Sequence, residues 1–212
     1  MRYLVALRRK SVEDWRIDLF RLFTAIALPP EIRQRLTMLC LGLPGVLWVD
    51  PEQFHLTVRY IGPVDGGMFA DIRSALALVE FEPFEITLEG VGFFPLRRRP
   101  EKIWVGVQKS EALGELRHRI DSALRRCGAP ADPRKYTPHV TIGRFGPGPV
   151  KTDNPPRLAG YLSEFSLFRT GPIAVERFGL FSSARSHSGP QYLPEAWYPP
   201  ESEGELDNEA LP

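Results

Sequence analysis

A chain of 212 residues that is 43% hydrophobic and 25% charged can bury a core without disulfide or metal staples, and its composition is that of a globular protein. The net charge of +1 conceals an asymmetry: residues 201–212 carry five acidic and no basic side chains, which leaves 27 basic residues against 21 acidic ones elsewhere, about +6. That surplus attracts a polyanion without making a general nucleic-acid binder, and no apolar run is long enough for a transmembrane helix.

Residues 1–20 read as an extension, without the apolar stretch and small-residue cleavage site of a secretory signal. Arg21–Leu28 alternates as a strand and is stopped by Pro29-Pro30, which opens a helix through Cys40. A short strand at Val46–Val49 and a second one from His55 follow. After Gly66-Gly67 a helix is predicted over Phe69–Val79, then a strand over Phe84–Phe94 with Gly90 and Gly92 as candidate bulges, and an antiparallel partner at Lys102–Val107. Glu111–Cys127 reads as a helix with Leu113, Leu116, Ile120 and Leu124 as its buried stripe, ended by Gly128. A strand from His139, a helix near Leu158–Phe165, and strands at Val175–Ser183 and Tyr192–Tyr198 complete the series. Residues 199–212 form an acidic tail expected to be disordered. Cys40 and Cys127 follow no metal or redox spacing and read as reduced thiols of a cytoplasmic protein.

One eight-residue stretch occurs twice. Residues 55–62 read HLTVRYIG and residues 139–146 read HVTIGRFG, sharing His, Thr and Gly without a gap. In a strand the side chains alternate, so His55 and Thr57 share one face while Leu56, Val58 and Tyr60 take the other; His139 and Thr141 oppose Val140 and Ile142 in the same way. The most faithfully repeated residues are the polar ones, which packing alone does not explain. Because several strand pairs have connections too short for a crossover helix, the expected class is α+β: two mainly antiparallel sheets in a bilobal, pseudo-twofold arrangement, helices outside and a cleft between the lobes, as a single domain over residues 21–198.

Neither His118 nor His187 comes with a carboxylate at ligand spacing, so no metal and no cofactor are expected. Acid–base work suits a histidine pair better. Near neutral pH one imidazole can accept a proton while the other donates one, and displacement at phosphorus needs such groups on opposite sides. Thr57 and Thr141 would donate hydrogen bonds to phosphate oxygens as charge develops.

These paired motifs resemble those of the two-histidine phosphoesterases, and RLFTAIALPPEI, GVGFFPLRRRPEKIWVGV, KYTPHVTIGRF and VERFGLFSS resemble segments of the bacterial RNA 2′,3′-cyclic phosphodiesterases over about residues 20–198. The resemblance implies metal-free hydrolysis of a terminal RNA 2′,3′-cyclic phosphate to a 2′-phosphate, with His55 as proton donor and His139 as proton acceptor. It also implies a phosphate contact from Arg144, although strict alternation puts that arginine on the back face unless a bulge or strand end intervenes. Arg59 departs from the family pattern, and its parity places it on the histidine face, as an extra phosphate contact or an arginine at the rim. Arg97, Arg98 and Arg99 are candidate RNA contacts, and Tyr136 and Phe94 candidates to stack on a terminal base. The expected partner is an RNA end or a cyclic-phosphate nucleotide, bound by a monomer with no membrane association. Reversible 2′-5′ ligation, turnover of small cyclic nucleotides or ADP-ribose cyclic phosphate, and a binding module without turnover stand as alternatives.

Overall fold

The computed structural model describes residues 19–96, 99–146, 155–186 and 189–200. The terminal extension and acidic tail read from the sequence lie outside that set, apart from Leu19, Phe20, Pro199 and Pro200.

In chain order the elements are β1 (Phe20–Ala27), α1 (Pro30–Thr37), β2 (Val46–Trp48), β3 (His55–Val64), α2 (Gly66–Leu76), β4 (Phe84–Ile86), β5 (Leu88–Leu96), β6 (Arg99–Val107), α3 (Glu111–Arg126), β7 (His139–Phe145), α4 (Pro155–Glu164), β8 (Ile173–Val175), β9 (Phe178–Ser186) and β10 (Gly189–Tyr198). The helix starts follow from local chemistry. Proline opens α1, the Asp65 carboxylate accepts from the Met68 N–H at the head of α2, and the Ser110 hydroxyl accepts from the Leu113 N–H at the head of α3.

All strand pairs are antiparallel, and the main sheet runs β10-β9-β1-β3-β7-β6-β5 with β2 added against β7. Its middle is thin. β3 and β7 meet at a single registered pair, Leu56 opposite Val140, so two four-stranded halves touch at one point, with the two histidine strands as neighbours. Leu56, Val58, Val140 and Ile142 are buried on the back, in one core with Leu113, Leu116, Ile120 and Leu124 of α3. Burying such a side chain stabilises the fold by roughly 1.5–3 kcal/mol, which anchors both histidine strands to the core.

Two predicted strands divide. Phe84–Phe94 breaks at Thr87 into β4 and β5, and the strand predicted from Val175 becomes β8 and β9; β4 and β8 leave the main sheet and pair with each other. Gly90 does sit at a bulge, between Glu89 and Val91, with φ of 66°. Gly92 serves another purpose: a Cβ there would stand 2.4 Å from the Trp104 ring, so its hydrogen makes room for that indole.

Candidate active site

The face each side chain takes depends on a device that both repeats share. Opposite β1, residues Arg59 and Thr57 pair with the adjacent Thr24 and Ala25, so Val58 is an extra residue in β3. Opposite β6, Gly143 and Thr141 pair with Ile103 and Trp104, so Ile142 is an extra residue in β7. Each bulge falls three residues after the histidine and reverses the alternation beyond it. His55 and Thr57 keep the face read from the sequence, but Tyr60 comes to the cleft face and Arg59 goes to the back. In the second strand the same shift buries Gly143 and brings Arg144 beside His139 and Thr141.

Arg59 therefore corrects the expectation of a contact in the cleft. It is 2% exposed. Its Nε donates to the Asp121 carboxylate of α3 at 2.9 Å, one Nη donates to the Pro130 carbonyl at 2.7 Å, and the other reaches the Tyr60 carbonyl. It fastens β3 to α3 and to the connection that leads into β7.

On the other face lies a cavity of about 520 Å³ whose walls include His55, Thr57, His139, Thr141 and Arg144. The two imidazoles are held alike. His55 Nδ1 lies 2.8 Å from the Gln53 carbonyl and His139 Nδ1 lies 2.7 Å from the Thr137 carbonyl, each two residues back. A carbonyl only accepts, so each Nδ1 carries the hydrogen and each Nε2 is left to exchange a proton. Aromatic rings meet both imidazoles edge-on, Tyr192 on His55 at 4.8 Å and Phe94 on His139 at 4.7 Å, and Phe23 lies 5.0 Å from His55. Gln53 works twice, since its side-chain oxygen also accepts the Tyr192 N–H at 2.8 Å and ties β10 to the first histidine.

Burial pushes the His55 imidazole down to about 4; the hydrogen bond to Gln53 opposes this, and the positive charges of Arg144 and His139 add to it. His139 is also lowered, by burial first, against the pull of the Thr137 carbonyl and with help from Lys102 and Arg144. Lys102 and Arg144 are directly paired across β6 and β7 and both line the cavity. Cross-strand like charges repel. Burial and the neighbouring Arg144 depress the Lys102 ammonium accordingly. An anion between them would relieve the repulsion and raise the proton affinity of both imidazoles.

Tyr136 reaches the cavity, but Arg117 lies over its ring at 4.6 Å and its hydroxyl meets the Thr57 carbonyl at 3.4 Å. Phe94 is likewise occupied as the wall behind His139 and against Trp104. Arg97 and Arg98 lie outside the described residues, and Arg99 begins β6. Sequence reasoning missed Tyr60, Lys102, Gln53 and Tyr192. For Tyr60 a signal existed, because the gapless repeat sets it opposite Arg144. For Lys102 the alternation of KIWVGV separates it from Ile103. Among the described residues no cluster of three or more His, Cys, Asp or Glu side chains could hold a metal.

Antiparallel sheets that bring two His-x-Thr strands together over a cationic cavity define a two-histidine phosphoesterase. The family model of the 2′-5′ RNA ligase superfamily matches residues 28–185, and the chain belongs to that superfamily. It is 33% identical over 175 residues to the RNA 2′,3′-cyclic phosphodiesterase of Archaeoglobus fulgidus, covering 81% of this chain and 96% of that one. The protein of the same name from Aeropyrum pernix is 34% identical over 145 residues, covering 68% and 80%. In fold the chain is similar to Escherichia coli LigT in its apo form, with a TM-score of 0.66 and 25% identity over 84% of this chain and 96% of that one. A Thermus thermophilus protein has a TM-score of 0.67 at 23% identity over 84% and 96%.

Proposed function

We propose that this protein hydrolyses a terminal RNA 2′,3′-cyclic phosphodiester to a 2′-phosphomonoester, with His55 and His139 as an acid–base pair. The observation that carries the reading is the matched pair of imidazoles, each locked through Nδ1 to a carbonyl and each backed by an aromatic edge, over a cavity walled by Lys102 and Arg144. Relatives at 33% and 34% identity carry the name of this activity.

In the proposed reaction His139 Nε2 takes a proton from water as its oxygen bonds to phosphorus. His55 Nε2 gives its proton to the departing 3′-oxygen as the P–O3′ bond breaks, leaving the phosphate on O2′. One proton enters the pair and one leaves it, so its total charge is unchanged, and proton exchange with solvent returns each imidazole to its starting form. The family resemblance supports this division of roles. Thr57 and Thr141 donate to the non-bridging oxygens, and Lys102 and Arg144 offset their charge. An RNA 5′-hydroxyl in place of water would run the same step towards 2′-5′ joining.

The test is an oligoribonucleotide ending in a 2′,3′-cyclic phosphate, incubated with the protein in EDTA. Ring opening to a 2′-phosphate is expected, and His55→Ala and His139→Ala should each slow it by about 10²–10⁴-fold. Activity that vanished in EDTA and returned with zinc, or a near-full rate in either variant, would sink the proposal.

A further inference from the structure

We propose that the cleft contains a second anion site, built by Arg21, Arg117 and Arg134 around Tyr60 and Tyr136, which takes the phosphodiester on the 5′ side of the terminal nucleotide. The inference rests on the cyclic-phosphate reading above and adds what the enzyme recognises beyond the reacting group.

The cations of the cavity fall into two neighbouring groups, with Arg134 of the second near enough to help depress Lys102 of the first. Lys102 and Arg144 stand together on β6 and β7 and are the cationic side chains that depress the imidazoles. The other group gathers about Tyr60 and Tyr136. Arg134 lies over the Tyr60 ring at 4.8 Å, Arg21 donates to the Tyr60 hydroxyl at 3.2 Å, and Arg117 lies over the Tyr136 ring at 4.6 Å. The Tyr136 hydroxyl, in turn, meets the Thr57 carbonyl of that strand. Tyr60 occupies the place in its repeat that Arg144 occupies in the other, so the first repeat presents guanidinium groups there by holding them against a tyrosine.

Stacking fixes Arg117 without using up its charge, whereas the charge of Arg134 is partly offset by Asp132, which leaves its second Nη free of that carboxylate. A guanidinium held by its face keeps N–H edges for a phosphate oxygen, and little rotamer freedom remains to be lost on binding. Arg134 is fixed a second time by paired hydrogen bonds to Asp132 at 2.7 and 2.9 Å. Arg117, by contrast, has no hydrogen-bond or ion-pair partner among the described residues, and its buried Nε is unsatisfied.

Charge counting points to the same ligand. Six basic side chains line the cavity against two carboxylates, Glu101 and Asp132. One cyclic phosphate monoanion leaves a surplus that a second phosphate on the same chain would meet. A base would not, since it carries no charge and the two tyrosine rings each already hold an arginine.

The experiment compares kcat/KM of the full-length protein on adenosine 2′,3′-cyclic phosphate and on the same nucleoside carrying a 5′-phosphate. Wild type should prefer the 5′-phosphorylated compound by about tenfold or more, the scale of one charge-assisted hydrogen bond. Arg134→Gln and Arg117→Gln should each move that ratio towards one, with the rate on the 5′-hydroxyl compound falling less. A wild-type ratio near one, or a ratio unmoved in both variants, overturns the site. If neither compound turns over, the functional reading fails instead. The site is then judged by affinity for adenosine 2′,5′-bisphosphate against adenosine 2′-phosphate: tighter binding of the bisphosphate, reduced by the same substitutions, supports it, and equal binding removes it.

Discussion

At the scale of single residues, the environment of His55 and His139 sets the pH at which the pair works. Burial and neighbouring cations lower both imidazoles from the ordinary 6.5, His55 to about 4. In the free protein the accepting, neutral form therefore survives into acid, and the donating, protonated form becomes scarce as pH rises. The expected kcat/KM profile is a bell centred below pH 6.5. A bound phosphate anion raises both imidazoles, so the kcat profile should lie at higher pH. Both limbs belong to the coupled pair. A pH–rate series on a 2′,3′-cyclic substrate checks this, and a kcat/KM maximum above pH 7 would contradict it. Lys102→Gln removes one cation that depresses His139. It should raise the acid limb of kcat/KM while lowering the maximal rate by about 10–100-fold, the scale of losing a hydrogen bond to a charged group. A lost rate with an unmoved limb would make Lys102 a packing residue.

At the scale of strands, the paired bulges explain which parts of the site were legible. The four repeated polar residues, His55, Thr57, His139 and Thr141, precede the bulges, so simple alternation places them correctly. Arg59, Tyr60 and Arg144 follow the bulges and all change face. A bulge is a mismatch between two strands, and neither strand records it alone; the expectation that Arg144 needed one came from the family resemblance, not from its spacing. The residue just past each bulge also shows why the repeats diverge. Arg59 joins β3 to Asp121 of α3, whereas Gly143 admits β2, because a Cβ there would lie 2.6 Å from Val46 and 2.8 Å from Trp48. Arg59→Ala, which removes the buried hydrogen bonds to Asp121 and the Pro130 carbonyl and leaves Asp121 with the exposed Arg125, should cost about 1–3 kcal/mol in chemical denaturation. Gly143→Ala should cost about 1–3 kcal/mol through overpacking, and it should also lower turnover, because the adjacent Arg144 moves with β7. Variants as stable as wild type would show that β2 and α3 give way freely.

At the scale of the molecule, the α+β class and the antiparallel pairing could be read from the sequence, since apolar periodicity and short connections carry them; in place of the two expected sheets, the histidine strands are neighbours in one eight-stranded sheet. The β4–β8 pair could not, because its strands are three residues each and lie far apart in the chain. Nor could the fact that the two halves meet through one registered pair. The first half also draws its strands from both parts of the chain: β1 and β3 come early, and β9 and β10 come after residue 177. A chain cut after Val175 should lose turnover. In hydrogen exchange the β1 amides of that chain should become labile, while β5, β6 and β7 stay protected.

That topology orders events during synthesis. As the chain leaves the ribosome, β5, β6 and β7 emerge consecutively, and β2 has already appeared, so the sheet around His139 can assemble while translation continues. The surroundings of His55 include Phe181 of β9 and Tyr192 of β10, which are made well over a hundred residues later. The wall of His55 is thus incomplete until the last strands are made. The histidine translated first is the last to be seated.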